Sequence, residues 1–184
     1  NAALPATGSM LEYDSDQVDR ALDVNLRAPI MMARHCARNM VERGRGQIVF
    51  ISSIASQAAS SGAAMYCATK FGLRGFALAL REDLRGTGVG VTSVVPGFIR
   101  DAGMFADTKV QLPRGTGTRS PEQVANAVLV ALAHDPAEIT VAAIEQRFGA
   151  LLGGIHHPLV AWAQRLVGAG GTAKQILDAQ AHKR

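Results

Sequence analysis

The apolar positions of the chain fall into two kinds of pattern, helical stripes and short continuous runs. From residue 15 to about residue 43, apolar side chains recur at spacings of three and four, which predicts an amphipathic helix that Asp14 or Ser15 can cap. Its stripe consists of Val18, Leu22, Leu26, Ile30, Ala33, Ala37, Met40 and Val41. Two further runs, at 47–52 and 89–95, are rich in apolar residues and have the length of buried parallel strands.

Further helices are predicted around the second run. One spans about 64–86, another begins at the capped sequence Ser120-Pro121 and ends near His134, and a last strand follows at 138–142. Strands that alternate with helices favour an α/β fold with a doubly wound parallel sheet, which binds ligands outside the carboxyl ends of its strands. With 184 residues, of which 48% are hydrophobic, the chain is predicted to form one domain over 1–184.

Two segments lie outside these regular elements. Residues 98–118 form a long irregular stretch, which is interpreted as a substrate lid, with a disordered excursion as the alternative. Residues 146–184 form a C-terminal helical extension, which Gly153-Gly154 and Pro158 are expected to interrupt. Packing on the core or covering a pocket is the expected role of this extension, with a membrane surface or a subunit contact as alternatives.

Composition and charge narrow the classes of function. The net charge of +4 comes from scattered arginines rather than a basic block, which disfavours nucleic acid as a partner. Cys36 and Cys67 form no metal or CxxC pattern, so reduced thiols and a cytoplasmic location are expected. The sequence contains no run of eighteen apolar residues, so no transmembrane segment is predicted. The adjacent His156 and His157 lack further ligands for a metal site.

The most specific chemical pattern is a serine followed by a tyrosine and a lysine. Tyr66 and Lys70 are four residues apart on a predicted helix and therefore share one face. A nearby ammonium group favours the phenolate and is expected to lower the pKa of Tyr66, which would make the phenol a usable general acid or base. Ser53, thirteen positions before Tyr66, follows an apolar strand and can hold a substrate oxygen by a hydrogen bond.

This arrangement resembles the short-chain dehydrogenase/reductase family over nearly the whole chain. The resemblance implies a Rossmann-like fold, catalytic roles for Ser53, Tyr66 and Lys70, and a fourth catalytic residue at Asn25. Asn25 would hold a relay water through its backbone carbonyl. That carbonyl is left without its helical donor because position 29 is a proline, which has no N–H group. A simple cap or kink at Asn25 is the alternative.

The resemblance also implies a set of contacts with NAD or NADP, and the choice between the two dinucleotides stays open. Pro96-Gly97 matches a cofactor-contacting Pro-Gly pair, and the backbone of Ile99 often contacts the nicotinamide carboxamide in relatives. Asp101 stands where the family often has threonine. The opening residues resemble the end of an Asn-Asn-Ala-Gly turn, with alanine where glycine is usual. Cofactor contacts are therefore expected at Asn1, Ala2, Ala3, Tyr66, Lys70, Pro96, Gly97 and Ile99.

The glycine-rich turn that holds pyrophosphate in such folds cannot be placed in this sequence. In the family that turn comes before the Asn-Ala-Ala segment with which the sequence opens. We therefore expect the chain to be the second part of a longer protein, with a sheet that is incomplete in its N-terminal half.

These observations predict an NAD(P)-dependent oxidoreductase, of the ketoreductase kind, that interconverts a carbonyl and an alcohol. Phe98, Met104 and Phe105 would bind a hydrophobic substrate together with Ser53, and a homodimer or homotetramer is expected. One alternative is an epimerase or dehydratase of the same fold that retains NAD. Another is a non-catalytic fragment whose helices serve oligomer packing. Activity of the chain by itself is left open.

Overall fold

A parallel sheet of three strands forms the centre of the described structure. The computed structural model describes residues 1–112, 116–155 and 170–180. Strand β1 (Gly46–Ile51), strand β2 (Val89–Pro96) and strand β3 (Glu138–Val141) lie side by side in the order β1-β2-β3. Gly46 lies opposite Val89 and Ser93 lies opposite Glu138, with both pairings parallel. The predicted α/β fold is therefore confirmed, with a sheet of the expected small size.

Helices cover both faces of this sheet. In chain order they are α1 (Ser15–Leu22), α2 (Ala28–Glu42), α3 (Ala64–Asp83), α4 (Gly103–Ala106), α5 (Pro121–His134), α6 (Ile144–Ile155) and α7 (Gly170–Gln180). Short 3₁₀ turns occur at Met10–Glu12 and Ile54–Ser56. The connections from β1 to β2 through α3 and from β2 to β3 through α5 are the crossovers that parallel strands require.

Alternating side chains of the strands divide the core into two layers. On one face, Phe50 and Val91 pack against the buried Leu73 and Ala77 of α3 and against Ala33 of α2. On the other face, the core is formed by Val94, Ala127 and Val141, which places α5 against β2 and β3. Alanines at the helix positions allow the helices to approach the sheet closely. The abundance of small residues in the sequence is thereby explained.

Capping boxes start two of the helices where the sequence predicts them. The Gln17 amide donates to Asp14 Oδ1 over 2.8 Å, and the Asp14 amide donates to Gln17 Oε1 over 3.2 Å. Ser120 and Gln123 form the same reciprocal pair at the start of α5. Each pair satisfies amides that a helix start leaves without partners.

The helix predicted over 15–43 is interrupted at Asp23–Arg27, which adopts a π-helical turn between α1 and α2. The Ala28 amide donates to the Asp23 carbonyl, five residues back. The physical reason is Pro29, which cannot donate to residue 25, so the hydrogen-bond pattern widens by one residue just before it. Asn25 lies in the middle of this turn.

The C-terminal extension differs from expectation at one point. Helix α6 runs through Gly153-Gly154 to Ile155 instead of ending at the glycine pair. Gly154 packs near the 3₁₀ turn, where a Cβ atom on it would lie 3.5 Å from the Gln57 carbonyl oxygen. A second helix, α7, follows at 170–180. Pro158, the pair His156 and His157, and the apolar residues between 159 and 167 lie outside the described residues.

Candidate active site

Ser53 follows β1 directly and adopts an extended backbone conformation, with φ −165°. Its side chain accepts a hydrogen bond from the Ala55 amide over 3.2 Å, and its carbonyl accepts one from the Ser56 hydroxyl over 2.6 Å. These two bonds form the cap of the 3₁₀ turn Ile54–Ser56. Ser53 is therefore held at the carboxyl edge of the sheet, where this class of fold binds its ligands.

Tyr66 and Lys70 lie on the first turns of α3 and meet Ser53 there. The Ser53 hydroxyl lies close enough to the Tyr66 phenol to favour its ionised form. The Lys70 ammonium lies 5.6 Å from the centre of the Tyr66 ring, and its Nζ donates to the Ile51 carbonyl over 3.2 Å. The structure thus brings the three predicted residues into one cluster, which we name the Ser53–Tyr66–Lys70 cluster.

Burial dominates the protonation of this cluster. Lys70 is 3% exposed, and loss of hydration lowers its pKa from 10.5 to about 8. Burial also raises the pKa of Tyr66. The Ser53 hydroxyl opposes this increase, and the Cys67 charge adds to it. The expected lowering of the Tyr66 pKa is therefore wrong for this structure. The Lys70 ammonium lies over the Tyr66 ring and donates to the Ile51 carbonyl. Burial of the phenol is therefore the largest influence on the pKa of Tyr66.

Asn25 is 1% exposed and binds the opening segment of the chain. Its Oδ1 accepts from the Leu4 amide over 2.7 Å, and its Nδ2 donates to the Leu4 carbonyl over 2.9 Å. The same Nδ2 lies 3.4 Å from Thr69 Oγ1, whose hydroxyl donates to the Tyr66 carbonyl over 2.9 Å. The Asn25 side chain therefore connects residue 4 with the helix of Tyr66. Its role in a water relay stays a prediction.

Thr69 is a residue that the sequence analysis missed. It is fully buried on the side of α3 that faces Asn25. Threonine in a helix commonly bonds back to a carbonyl one turn earlier, so its position three residues after Tyr66 was an available signal. The contact with Asn25, forty-four residues away, had no local signal.

A groove of about 220 Å³ runs beside this cluster. Asn1, Ala2, Asn25, Lys70 and Ile51 belong to its lining, together with other residues of β1 and α2. Ala3 is half-buried just before Leu4. The structure therefore places the expected cofactor residues Asn1 and Ala2 in the same groove as Lys70.

Pro96-Gly97 lies at the carboxyl end of β2, where Gly97 donates to the Val141 carbonyl over 2.9 Å. A Cβ atom on Gly97 would lie 2.0 Å from Gln146 Oε1 and 2.8 Å from the Ala142 Cβ. The close approach explains the glycine. Gln146 itself accepts from the Phe98 amide over 3.1 Å and donates to the Gly117 carbonyl over 2.6 Å. The sequence analysis missed this glutamine, which joins both ends of the predicted lid.

Ile99 forms a parallel bridge with Arg119 at the base of the lid. Arg119 donates to the Phe98 carbonyl and accepts from the Arg100 amide, each over 2.9 Å. The bridge uses the groups on either side of Ile99, so the amide and carbonyl of Ile99 point away from Arg119. Asp101, next to it, has a φ of 70° and its carboxylate lies 3.2 Å from the Arg100 guanidinium.

The apolar residues expected to bind substrate form a second group. The rings of Phe98 and Phe105 have their centres 4.9 Å apart, and Met104 precedes Phe105 in α4. The lid is therefore partly helical, and Pro113, Arg114 and Gly115 lie outside the described residues. That this group contacts the same ligand as Ser53 stays a prediction.

The described residues also bear on membrane insertion and on metal binding. Within residues 1–112, 116–155 and 170–180, no helix combines the length and the apolar character needed to cross a membrane. The same residues contain no group of three or more histidine, cysteine, aspartate or glutamate side chains that could hold a metal ion. Cys36 and Cys67 are both free, the first exposed and the second buried.

Comparison with known proteins identifies relatives for most of the chain. Ketoacyl reductase HetN of Nostoc sp. is 35% identical over 141 residues, which are 77% of this chain and 49% of HetN. The 3-oxoacyl-[acyl-carrier-protein] reductase FabG of Rickettsia felis is 30% identical over 159 residues, 83% of this chain and 66% of FabG. The chain thus spans about half of the first relative and less than two thirds of the second.

Solved structures share the fold. An actinorhodin polyketide ketoreductase variant with NADPH superposes with a TM-score of 0.69 at 27% identity, over 77% of this chain and 64% of its own. A gluconate 5-dehydrogenase from Burkholderia cenocepacia, in complex with NADP and tartrate, gives a TM-score of 0.65 at 23% identity, over 77% and 61%. Residues 1–112 match the protein family described as short chain dehydrogenase. The match includes the Ser53–Tyr66–Lys70 cluster, and the chain belongs to the short-chain dehydrogenase/reductase family.

Proposed function

We propose that this chain carries the proton-transfer site of an NAD(P)-dependent oxidoreductase that interconverts a ketone and an alcohol. The observation that carries the proposal is the placement of the Ser53 hydroxyl, the partly buried phenol of Tyr66 and the buried ammonium of Lys70 in one cluster. A serine hydroxyl and a phenol that lie together at the edge of a parallel sheet can both approach one substrate oxygen. Such convergence is what general acid–base chemistry on a carbonyl requires.

The end of the groove that Lys70, Asn1 and Ala2 line would hold the nicotinamide end of a dinucleotide. Lys70 lines the groove, and an ammonium has three N–H donors, of which one is used by Ile51. The others are suited to ribose hydroxyls, with Asn1 and Ala2 alongside. Pro96, Gly97 and the backbone groups of Ile99 would flank the nicotinamide ring from β2. When bound, the dinucleotide supplies or accepts the hydride, and the chain supplies position and protons.

Tyr66 donates the proton during reduction and accepts it during oxidation. Burial raises the pKa of Tyr66, so the phenol keeps its proton at neutral pH, and the protonated phenol is the form that donates to a ketone oxygen. Ser53 donates a hydrogen bond to the substrate oxygen and keeps it near the phenol. Asn25 holds the opening segment beside Lys70 and organises the proton path from the lysine.

A hydrophobic 3-oxoacyl compound is the proposed substrate class. The relatives described above are named as ketoacyl and 3-oxoacyl reductases, and the contacting rings of Phe98 and Phe105 offer an apolar surface for a carbon chain. Exposed apolar side chains on α1, α2 and α3 support assembly into a homodimer or homotetramer; they are Leu22, Met31, Met32, Val41 and Phe71.

Replacing Tyr66 with phenylalanine tests the proposal in the intact enzyme. The substitution removes one oxygen and little volume, so turnover should fall by about 100- to 10,000-fold while dinucleotide affinity stays nearly unchanged. Tyr13→Phe is the matched control, because its hydroxyl bonds to the Thr7 carbonyl and has no proposed part in proton transfer. A Tyr66→Phe enzyme with turnover close to that of the control would refute the assignment.

A second measurement separates the reductase from an epimerase that retains NAD. A reductase oxidises one NADH or NADPH for each molecule of ketone reduced. Substrate conversion without consumption of the added dinucleotide would favour the epimerase.

A further inference from the structure

Gln180, at the end of α7, makes two long-range hydrogen bonds from one buried side chain. It is 6% exposed. Its Nε2 donates to the Met104 carbonyl over 3.0 Å, and its Oε1 accepts from the Thr7 hydroxyl over 2.9 Å. Met104 belongs to α4 of the lid, and Thr7 lies in the segment before α1. One side chain therefore joins the lid to the body of the protein across the C-terminal helix.

The chemistry of the two partners fixes the orientation of this amide. The Met104 carbonyl can only accept, so the amino group of Gln180 has to face it, whereas the Thr7 hydroxyl can donate or accept and adjusts to the remaining oxygen. A buried side chain that makes both bonds has little water to replace either of them. Loss of the Met104 contact therefore leaves two polar groups without an equivalent partner.

Helix α7 also contacts the loop between Ser53 and Tyr66. Gly62 in this loop has a φ of 73°, and a Cβ atom on it would lie 2.2 Å from the Leu177 Cδ1. The Gly62 carbonyl accepts from the Gly8 amide over 2.7 Å, next to Thr7. The Gln180 contacts and the Leu177 contact thus place α7 between the lid and the loop that carries the catalytic serine.

We propose that Gln180 is a positioning residue that fastens α4 of the lid to α7 and thereby holds Met104 and Phe105 where they bind the far end of a long substrate. The second half of this inference rests on the proposed function, whereas the attachment of the lid does not. The ligand concerned is the acyl chain of the 3-oxoacyl substrate, since α4 carries Met104 and Phe105.

Hydrogen exchange in the chain itself tests the attachment without any activity. The reporters are the amides of Asp107, Thr108 and Lys109, which bond to carbonyls of residues 103, 105 and 106 over 3.0–3.1 Å. Gln180→Ala should accelerate their exchange roughly tenfold, the effect of losing one or two buried hydrogen bonds. Gln180→Glu should act similarly, because a carboxylate oxygen cannot donate to Met104. Gln175→Ala, an exposed glutamine on the same helix, should change nothing.

Steady-state kinetics in the intact enzyme test the effect on the binding of long substrates. With a long-chain 3-oxoacyl thioester, Gln180→Glu should raise KM several-fold while kcat with a short-chain thioester stays near that of the Gln175→Ala control. A purely structural defect would instead reduce the active fraction and lower kcat for both substrates with KM unchanged. That result, or unaltered exchange of the three amides in both Gln180 variants, would overturn the proposal. Absence of turnover in the unmodified enzyme would contradict the proposed function, and the attachment would still stand or fall on the exchange rates.

Discussion

The Ser53–Tyr66–Lys70 cluster and the lid region are built by different means. The cluster lies on the end of β1 and the first turns of α3, so regular backbone structure sets its geometry. The lid region is held by side-chain amides, with Gln146 at its base and Gln180 at α4. The comparison teaches that the groups proposed to transfer the proton are positioned by the fold itself, whereas the proposed binding surface depends on a few side-chain contacts from distant helices.

The largest effect on stability is expected where the cluster region meets the opening segment. Asn25→Ala removes both bonds to Leu4 and leaves the amide and carbonyl of that residue without these partners. The free energy of unfolding should fall by about 2–4 kcal/mol, measured by urea denaturation. Asn39→Ala, an exposed asparagine on α2, is the control and should have little effect. Equal stability of the two variants would show that the two hydrogen bonds between Asn25 and Leu4 contribute little to the free energy of unfolding.

The base of the lid can be disturbed at Gly97. In Gly97→Ala, the added methyl group meets Gln146 Oε1, which can move, and the Ala142 Cβ, which is rigid. Overpacking of this kind costs about 1–3 kcal/mol. Gly75→Ala provides a control of opposite sign, since a Cβ there meets nothing within 4 Å and alanine favours a helix by about 1 kcal/mol. If thermal denaturation shifts both variants in the same direction, the steric account is wrong.

The buried lysine predicts a pH dependence that is specific to the cluster. Folding lowers the pKa of Lys70 from 10.5 to about 8, so the unfolded chain binds more protons between these pH values. The free energy of unfolding contributed by Lys70 should therefore rise with pH across that window. Lys70→Met should lose this rise, whereas Lys109→Met, on the exposed part of the lid, should retain it. The measurement is denaturant unfolding at about pH 7.5 and about pH 9.5; a rise that persists in Lys70→Met would contradict the assignment.

The smallest effect is expected at Ser93, in the centre of β2. This hydroxyl is 1% exposed and has no hydrogen-bond partner among the described residues. Ser93→Ala should therefore stabilise the protein, by no more than about 1 kcal/mol. Thr92→Val is the matched comparison, because the Thr92 hydroxyl donates to the Pro136 carbonyl over 2.6 Å and its loss should destabilise. Calorimetric melting temperatures that move in the same direction would contradict this account.

Local patterns predicted most of the fold and the centre of the site. Periodicity located the helices and strands, and the capping residues Asp14 and Ser120 act through neighbours three positions away. Helical spacing places Tyr66 and Lys70 on one face, and the resemblance to the family singled them out. The helices, strands and caps needed only residues within one turn or one strand.

The remaining features depend on contacts between distant parts of the chain. Gln146 bonds to residues 48 and 29 positions away, and Gln180 to residues 76 and 173 positions away, and a glutamine carries no local sign of such a role. The raised pKa of Tyr66 likewise follows from burial, which only the packed structure reveals. The π-helical turn is an intermediate case, because Pro29 predicted an interrupted helix but did not predict that the interruption would be π-helical.

Strand β1 has a neighbour on one side alone within the described residues, since it pairs with β2 and with no other strand. Its free side presents a row of peptide groups that can template the addition of another strand. Solutions of this chain by itself are therefore expected to self-associate as concentration rises. A peptide of suitable sequence that docks in parallel along Gly46–Ile51 should keep the chain monomeric.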